Sequence, residues 1–336
     1  NIPEMFKADT AATEEEADEW VRQVVAGEKL SVRRPPELLT RDVVAKAINK
    51  EVAEGRGSPH GGAFLDIATR RTSEEIIAKL PSMHHQFKEL AAVDITEEPM
   101  EVGPTAHYVM GGVRVDPESQ ESTIPGLYAA GEVAGGLHGA NRLGGNSLSD
   151  LIVFGKRAGE YAANRASGLD QPTLNESAID AAAGNIIEPL NREDGENPGI
   201  IYDDLREMMQ HKVGIIRTAS LLEEAISDLD GISERAGSCN PGSNRRYNSG
   251  WHQALDLKNM IDVSRACALA ALQRTESRGA HTRDDYPLTD SKKWGHTTLV
   301  VRMKEGEIMI DEEELEQPPP EVEVHLNRSK RGGEEE

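Results

Sequence analysis

Two neighbouring stretches carry residue types able to hold and polarise a ligand. In TIPGLYAAGEV (residues 123–133) a predicted strand, LYAAG, ends at Glu132 just before a glycine-rich run. An acid at the carboxyl end of a strand can accept hydrogen bonds from ribityl or ribose hydroxyls, although many strands end in Gly-Glu. In GGLHGANRLGGNSLSD (residues 135–150) glycines and an asparagine permit close backbone approach to a flat ligand. SLSD then reads as a capping box, Ser147 with Asp150, at the head of an apolar helix. The N–H groups and partial positive charge at such a helix start would stabilise negative charge, as on the pyrimidine end of a reduced flavin. The spacing equally admits a well-capped helix that follows a flexible loop.

Other motifs carry less chemistry. GRGSPHGG (residues 55–62) has a helix before it and a strand after it, and its spacing is G-x-G-x-x-x-G. It reads as a helix stop and turn, because a dinucleotide loop needs strand, then turn, then helix. His84 and His85 are vicinal and so cannot share a helix face as metal ligands. Cys239 and Cys267 have no histidine nearby in sequence and read as ordinary thiols.

The elements that position these stretches follow from periodicity. Thr40 reads as the N-cap of RDVVAKAINKEVAEG, with Val43, Val44, Ala47, Ile48 and Val52 on one face and Gly55 as the stop. AFLDIA (63–68) predicts a short buried strand, and SEEIIAKL and HHQFKELAAV predict helices separated by Pro81. Strands are predicted in HYVMGGVRVD and TIPGLYAAGEV, then a helix from Ser147 to about residue 166. Residues 175–275 read as helical, and TTLVVRM, EIMIDEE and VEVHLNR as short strands before a tail.

The chain has 336 residues, with 37 Lys+Arg against 59 Asp+Glu, for a net charge of −22. Such an acidic balance excludes nucleic-acid binding through phosphate neutralisation. Two cysteines cannot build a disulfide framework or a four-thiolate metal site. No apolar run approaches the roughly 20 residues that span a bilayer. The chain begins at Asn1, with neither Met nor a signal-peptide pattern, and a preceding N-terminal part is expected.

PTAHYVMGG, GLYAAGE, HGANRLGGNSLSDLIVFGKRAG and TESRGAHTRDDYP together resemble the flavoprotein subunit of succinate dehydrogenase and fumarate reductase. RPPELLTRDVVAKAI agrees, and PELLTRD with GSPHGG is similar to actinobacterial-type members. The resemblance covers nearly the whole chain but only the second half of such a subunit. It implies an α/β flavin-binding domain (partial) with a capping-domain remnant, a helical bundle domain and a small β-rich C-terminal domain. The implied boundaries are 1–95, 96–170, 171–275 and 276–336 in the order capping, flavin-binding, helical and C-terminal. It also implies FAD as cofactor, a dicarboxylate substrate, a partner iron–sulfur subunit and, through it, membrane-anchor subunits. The expected location is peripheral, on the cytoplasmic face of the membrane.

By the same resemblance Arg41 is the proton-transferring residue, His107 and Arg142 bind the dicarboxylate, and Glu132, Asn146, Ser147 and Leu148 contact FAD. Physical chemistry supports these roles separately. Arg41 at the first helical position meets an unfavourable macrodipole, which makes its proton slightly easier to release. The planar fork of Arg142 can bind both oxygens of a carboxylate. His107 could donate to a second carboxylate, or be a satisfied core histidine. Two alternatives remain open: an L-aspartate oxidase-like FAD oxidoreductase, which shares HY-x-x-GG and GAN-R, and a non-catalytic scaffold subunit.

Overall fold

Glycine and proline punctuate the chain where the sequence places them. The computed structural model describes residues 41–315, with residues 16, 19–20, 22–23, 319–320 and 322, and it divides into two units, Asn1–Gly168 and Leu169–Glu336. Thr40 and most of VEVHLNR lie outside the described residues, as does the side chain of Arg41.

In the first unit, helix α1 (Arg41–Ala53) buries Ala47 against Val43 and Val44 and stops at Gly55, whose φ of +75° suits glycine. Strands β1 (Ala63–Leu65) and β2 (Met100–Val102) pair antiparallel, with Ala63 opposite Val102. Contrary to expectation β1 is not buried: Phe64 and Leu65, on opposite faces of a sheet of only two strands, are 58% and 47% exposed. Helix α2 (Ser73–Lys79) opens with a capping box between Thr72 and Glu75. Pro81 starts helix α3 (Pro81–Ala91) at a position where its missing N–H costs nothing. Ile76, Ile95 and Met100 form the small core here, flanked by Ile67, Phe87 and Val93.

Between residues 104 and 135 the expected strands are extended chain joined only by isolated bridges, Val113 to Ala134, Val115 to Ser122 and Glu121 to Tyr128. The physical reason is visible at Gly112 and Gly135. A Cβ on Gly112 would lie 2.3 Å from Val133 O, and one on Gly135 would lie 2.9 Å from Gly112 N. The two segments therefore meet backbone to backbone over a short distance instead of as a regular ladder. LYAAG ends in a 3₁₀ turn, Gly131–Val133, where Glu132 sits. Helix α4 (Asn146–Ser167) follows, and Asp150 is its one buried residue.

The second unit holds helices α5 (Glu176–Ile187), α6 (Pro198–Lys212), α7 (Ala219–Gly237) and α8 (Ser249–Gln273). Side-chain caps from Asn175, Asn197, Thr218 and Asn248 start them. Helices α6 to α8 share a core of Ile201, Leu205, Leu229, Ile232, Leu257 and Ile261, and Cys239 joins it as a small apolar filler. Strands β3 (Thr297–Lys304) and β4 (Glu307–Glu314) form a hairpin whose two-residue turn, Glu305-Gly306, has φ of 55° and 88°, as a type I′ turn requires.

TESRGAHTRDDYP forms a lock after α8. The fully buried Glu276 accepts from Arg274 at 2.7 Å, from Arg278 at 2.7 Å and from Asp290 N–H at 2.8 Å. Burial alone would raise its carboxyl pKa, but the hydrogen bonds from Arg278 and Arg274 outweigh it and the net shift is downward. Arg283, 1% exposed, donates to Ala271 O and Leu272 O at the end of α8 and pairs with Asp285 at 2.7 Å. His281 is pushed down to about 4 by burial and remains neutral. Its Nδ1 lies 2.9 Å from Arg217 Nη1 and its Nε2 lies 3.2 Å from Arg274 O.

Candidate functional site

Three chain segments converge at Tyr108. The first, residues 107–110, is extended chain anchored by a hydrogen bond from Val109 N–H to Glu132 Oε1 at 2.9 Å. The second is the loop before α4, where Gly136, Gly139 and Gly145 have φ of 95°, 56° and 84° with open space at each Cβ position. The third is the first turns of α4. Gly131 adds a close contact, since a Cβ there would lie 2.6 Å from Leu151 Cδ2, which brings the Glu132 turn against that helix.

Tyr108 Oη lies 3.0 Å from His138 Nε2 and donates to Asp150 Oδ2 at 3.3 Å. His138 Nε2 is also 3.4 Å from Asp150 Oδ2, and both side chains are buried, at 8% and 3% exposure. Burial, then the nearby Asp150 carboxylate, raises the Tyr108 phenol pKa, so the hydroxyl stays a donor. Arg142 places its guanidinium carbon 4.6 Å from the Tyr108 ring centroid, a cation–π distance. Its Nη1 donates to Leu143 O at 3.2 Å, and its buried Nε has no hydrogen-bond partner. Among the described residues, no carboxylate pairs with Arg142.

The expected site residues fall as follows. His107 is exposed, which removes the core-histidine reading, and its ring centroid is 6.4 Å from that of Tyr108. Arg142 therefore reaches Tyr108 across the fold, His107 adjoins it in the chain, and Glu132 ties down the residue that follows it. Asn146, Ser147 and Leu148 are the first three residues of α4, with Leu148 68% exposed. Arg41 opens α1, and its side chain lies outside the described residues.

One expectation is corrected. Ser147 and Asp150 do not form a capping box: α4 begins one residue earlier, Gly145 is its N-cap in a left-handed conformation, and no side chain caps it. Ser147 is thus already inside the helix, and Asp150 turns to Tyr108 and His138 instead. The residues missed were Tyr108 and His138, both inside quoted motifs. No spacing rule points to them, because Tyr108 lies 42 positions from Asp150 and 30 from His138 along the chain.

The residues fit an anionic ligand and a flat cofactor. A half-buried guanidinium with no carboxylate partner among the described residues and an orphaned Nε could receive one from outside. Beside it, a 22-residue helix begins without a side-chain cap after a glycine loop, and the exposed Glu132 carboxylate is an acceptor for hydroxyls.

Residues 23–148 match the family model for an FAD binding domain, and residues 202–328 match that for the fumarate reductase flavoprotein C-terminal region. The chain is 35% identical over 292 residues to the succinate dehydrogenase flavoprotein subunit of Coxiella burnetii, covering 82% of this chain and 50% of that one. It is 36% identical over 287 residues to the fumarate reductase flavoprotein subunit of Escherichia coli, covering 82% and 47%. Among solved structures it resembles Mycobacterium smegmatis Sdh1 in complex with UQ1, at a TM-score of 0.76 and 51% identity over 86% of this chain and 48% of that one. The chain thus spans about half the length of the relatives it matches, and the cofactor they indicate is FAD. The chain belongs to the succinate dehydrogenase/fumarate reductase flavoprotein family.

Proposed function

We propose that this chain is part of a flavoprotein subunit that interconverts succinate and fumarate. The observation that carries the reading is Arg142: a guanidinium stacked on Tyr108, the residue after His107, with no carboxylate partner among the described residues. Arg142 binds one end of the diacid through its planar fork and His107 donates to the other. Together they orient the two central carbons, so that a proton on one of them faces Arg41. Arg41 takes that proton in succinate oxidation and returns it in fumarate reduction. A guanidinium already carries its proton at ordinary pH, so Arg41 can take one from the substrate only after passing its own to an acceptor, in a site closed to water. FAD, when bound, supplies the hydride acceptor. Glu132 and the start of α4 at Asn146, Ser147 and Leu148 hold and polarise it.

The same reading assigns residues 1–95 to the capping domain, 96–170 to the flavin-binding domain, 171–275 to the helical domain and 276–336 to the C-terminal domain. Electrons pass to a separate iron–sulfur subunit docked on membrane anchors, with this chain peripheral on the cytoplasmic face. No helix among the described residues is long and apolar enough to cross a membrane.

The test is Arg41→Gln in the full-length protein. Turnover of succinate and fumarate should vanish while the flavin absorbance spectrum and dicarboxylate affinity persist. Near-normal turnover would overturn the assignment of Arg41.

A further inference from the structure

Asp150 has no role in the function proposed above, yet it is 4% exposed on a helix whose neighbouring apolar residues, Leu151 and Ile152, are 53% and 74% exposed. A carboxylate is buried there while leucine and isoleucine are not. Burying an acid is costly unless its oxygens are used. They are used: Asp150 Oδ2 receives the Tyr108 hydroxyl at 3.3 Å and lies 3.4 Å from His138 Nε2.

The consequence reaches Arg142 through the ring. His138 packs edge-on against Tyr108, with centroids 5.2 Å apart and planes at 73°. Arg142 lies on the same ring at 4.6 Å. His138 and Arg142 belong to one glycine-rich loop, in which Gly139, Gly144 and Gly145 have open space at their Cβ positions. A phenol that gives its hydrogen bond to a carboxylate also carries a more electron-rich ring, which holds a cation more firmly.

We propose that Tyr108, anchored by Asp150 and His138, is a positioning residue that sets the Arg142 guanidinium for a substrate carboxylate. Asp150 and His138 act one step behind it. The proposal rests on reading Arg142 as the carboxylate-binding group, and its test separates the two.

The experiment uses the full-length flavin-loaded protein, with steady-state kinetics on succinate and calorimetric titration of malonate, a non-reacting diacid. Tyr108→Leu, which removes the ring, is expected to weaken malonate binding and raise KM about tenfold, with a smaller change in kcat. Tyr108→Phe keeps the ring but loses the anchoring hydroxyl, and should recover only part of that loss. Asp150→Asn keeps the ring and the hydroxyl and removes only the charge, so it should raise KM by no more than Tyr108→Phe does. Unchanged malonate affinity in Tyr108→Leu, or a fall in kcat alone, would overturn the proposal. Should Tyr108→Leu fail to fold, Asp150→Asn decides it: a raised KM with kcat retained supports the proposal, and an unmoved KM overturns it. Arg142→Lys is the control for the underlying reading. If it leaves malonate affinity intact, Arg142 is not the carboxylate site and both readings fail. If it weakens binding while Tyr108→Leu does not, only the positioning role fails.

Discussion

Arginines stack on aromatic rings in both units, and what surrounds each guanidinium separates a lock from a candidate binding site. In the segment after α8, Arg274 lies 5.0 Å from the Trp294 ring and Arg283 lies 5.0 Å from the Tyr286 ring. Each also has a carboxylate, Glu276 or Asp285, at 2.7 Å, and each donates to backbone carbonyls. Their charge is spent inside the fold. Arg142 stacks at 4.6 Å on Tyr108 and has neither, apart from the carbonyl of its own neighbour, Leu143. Polar groups in a folded interior are normally paired, so a guanidinium with no carboxylate partner among the described residues is a candidate place for an anionic ligand. The same contrast appears in packing. Helices α6 to α8 bury Ile201, Leu205, Leu229 and Leu257 completely, whereas α4 buries only Asp150.

Substitutions in the two regions should therefore fail in different ways. The largest effect is expected from Glu276→Gln, which strands Arg274 and Arg278 against a weakened partner. Both arginines keep some solvent contact, at 20% and 27% exposure, so the loss should be at the lower end for a broken buried pair, about 3 kcal/mol. Urea unfolding measures it, and a shift below about 1 kcal/mol would show that the lock is not structural.

Gly112→Ala comes next. Its Cβ would sit 2.3 Å from Val133 O, so the Val113–Ala134 bridge must open and carry Tyr108 and Glu132 apart. A displacement near 1 Å at a site costs about 10²-fold in turnover, with a smaller loss of thermal stability. Equal damage to both would erase the contrast between the regions.

A smaller, pH-dependent effect belongs to His281. Its folded pKa of about 4 lies below the 6.5 of an unperturbed histidine, so the unfolded chain binds a proton first as pH falls. Stability is unaffected above pH 6.5, declines by at most about 1.4 kcal/mol per pH unit between 6.5 and 4, and levels off below. Melting curves of His281→Gln should show a shallower acid slope than the native protein. Parallel slopes would remove His281 as the cause.

The smallest expected stability change is at Arg142. Because no carboxylate among the described residues depends on it, Arg142→Met should move the unfolding free energy by no more than about 0.5 kcal/mol while malonate binding is lost. A large destabilisation would place Arg142 with the lock arginines instead.

Much of this was legible along the chain. Helix α1, with Ala47, Val43 and Val44 on one face and Gly55 at its end, follows from a period of 3.6 and one left-handed residue. The break at Pro81 and the start of α4 within one residue of Ser147 follow from equally local rules. His107, Glu132 and Arg142 were singled out through motifs that carry the family resemblance, and the fold draws Arg142 to Tyr108, the chain neighbour of His107, and Glu132 to Val109. The strands around residues 104–135 misled, because alternation reports an extended backbone and not whether a neighbouring strand is there to pair with.

Asp150 shows where local pattern stops being informative. Three residues after Ser147 it matches a capping box, and nothing nearby in the chain says otherwise. Its actual partner, Tyr108, is 42 positions earlier. Residue order dictated the helices, turns and candidate ligands, because hydrogen bonds and φ preferences act over three or four residues. Which acid is buried, which arginine keeps an unmet charge and which ring it rests on were settled when distant segments packed together, since desolvation and pairing depend on neighbours in space.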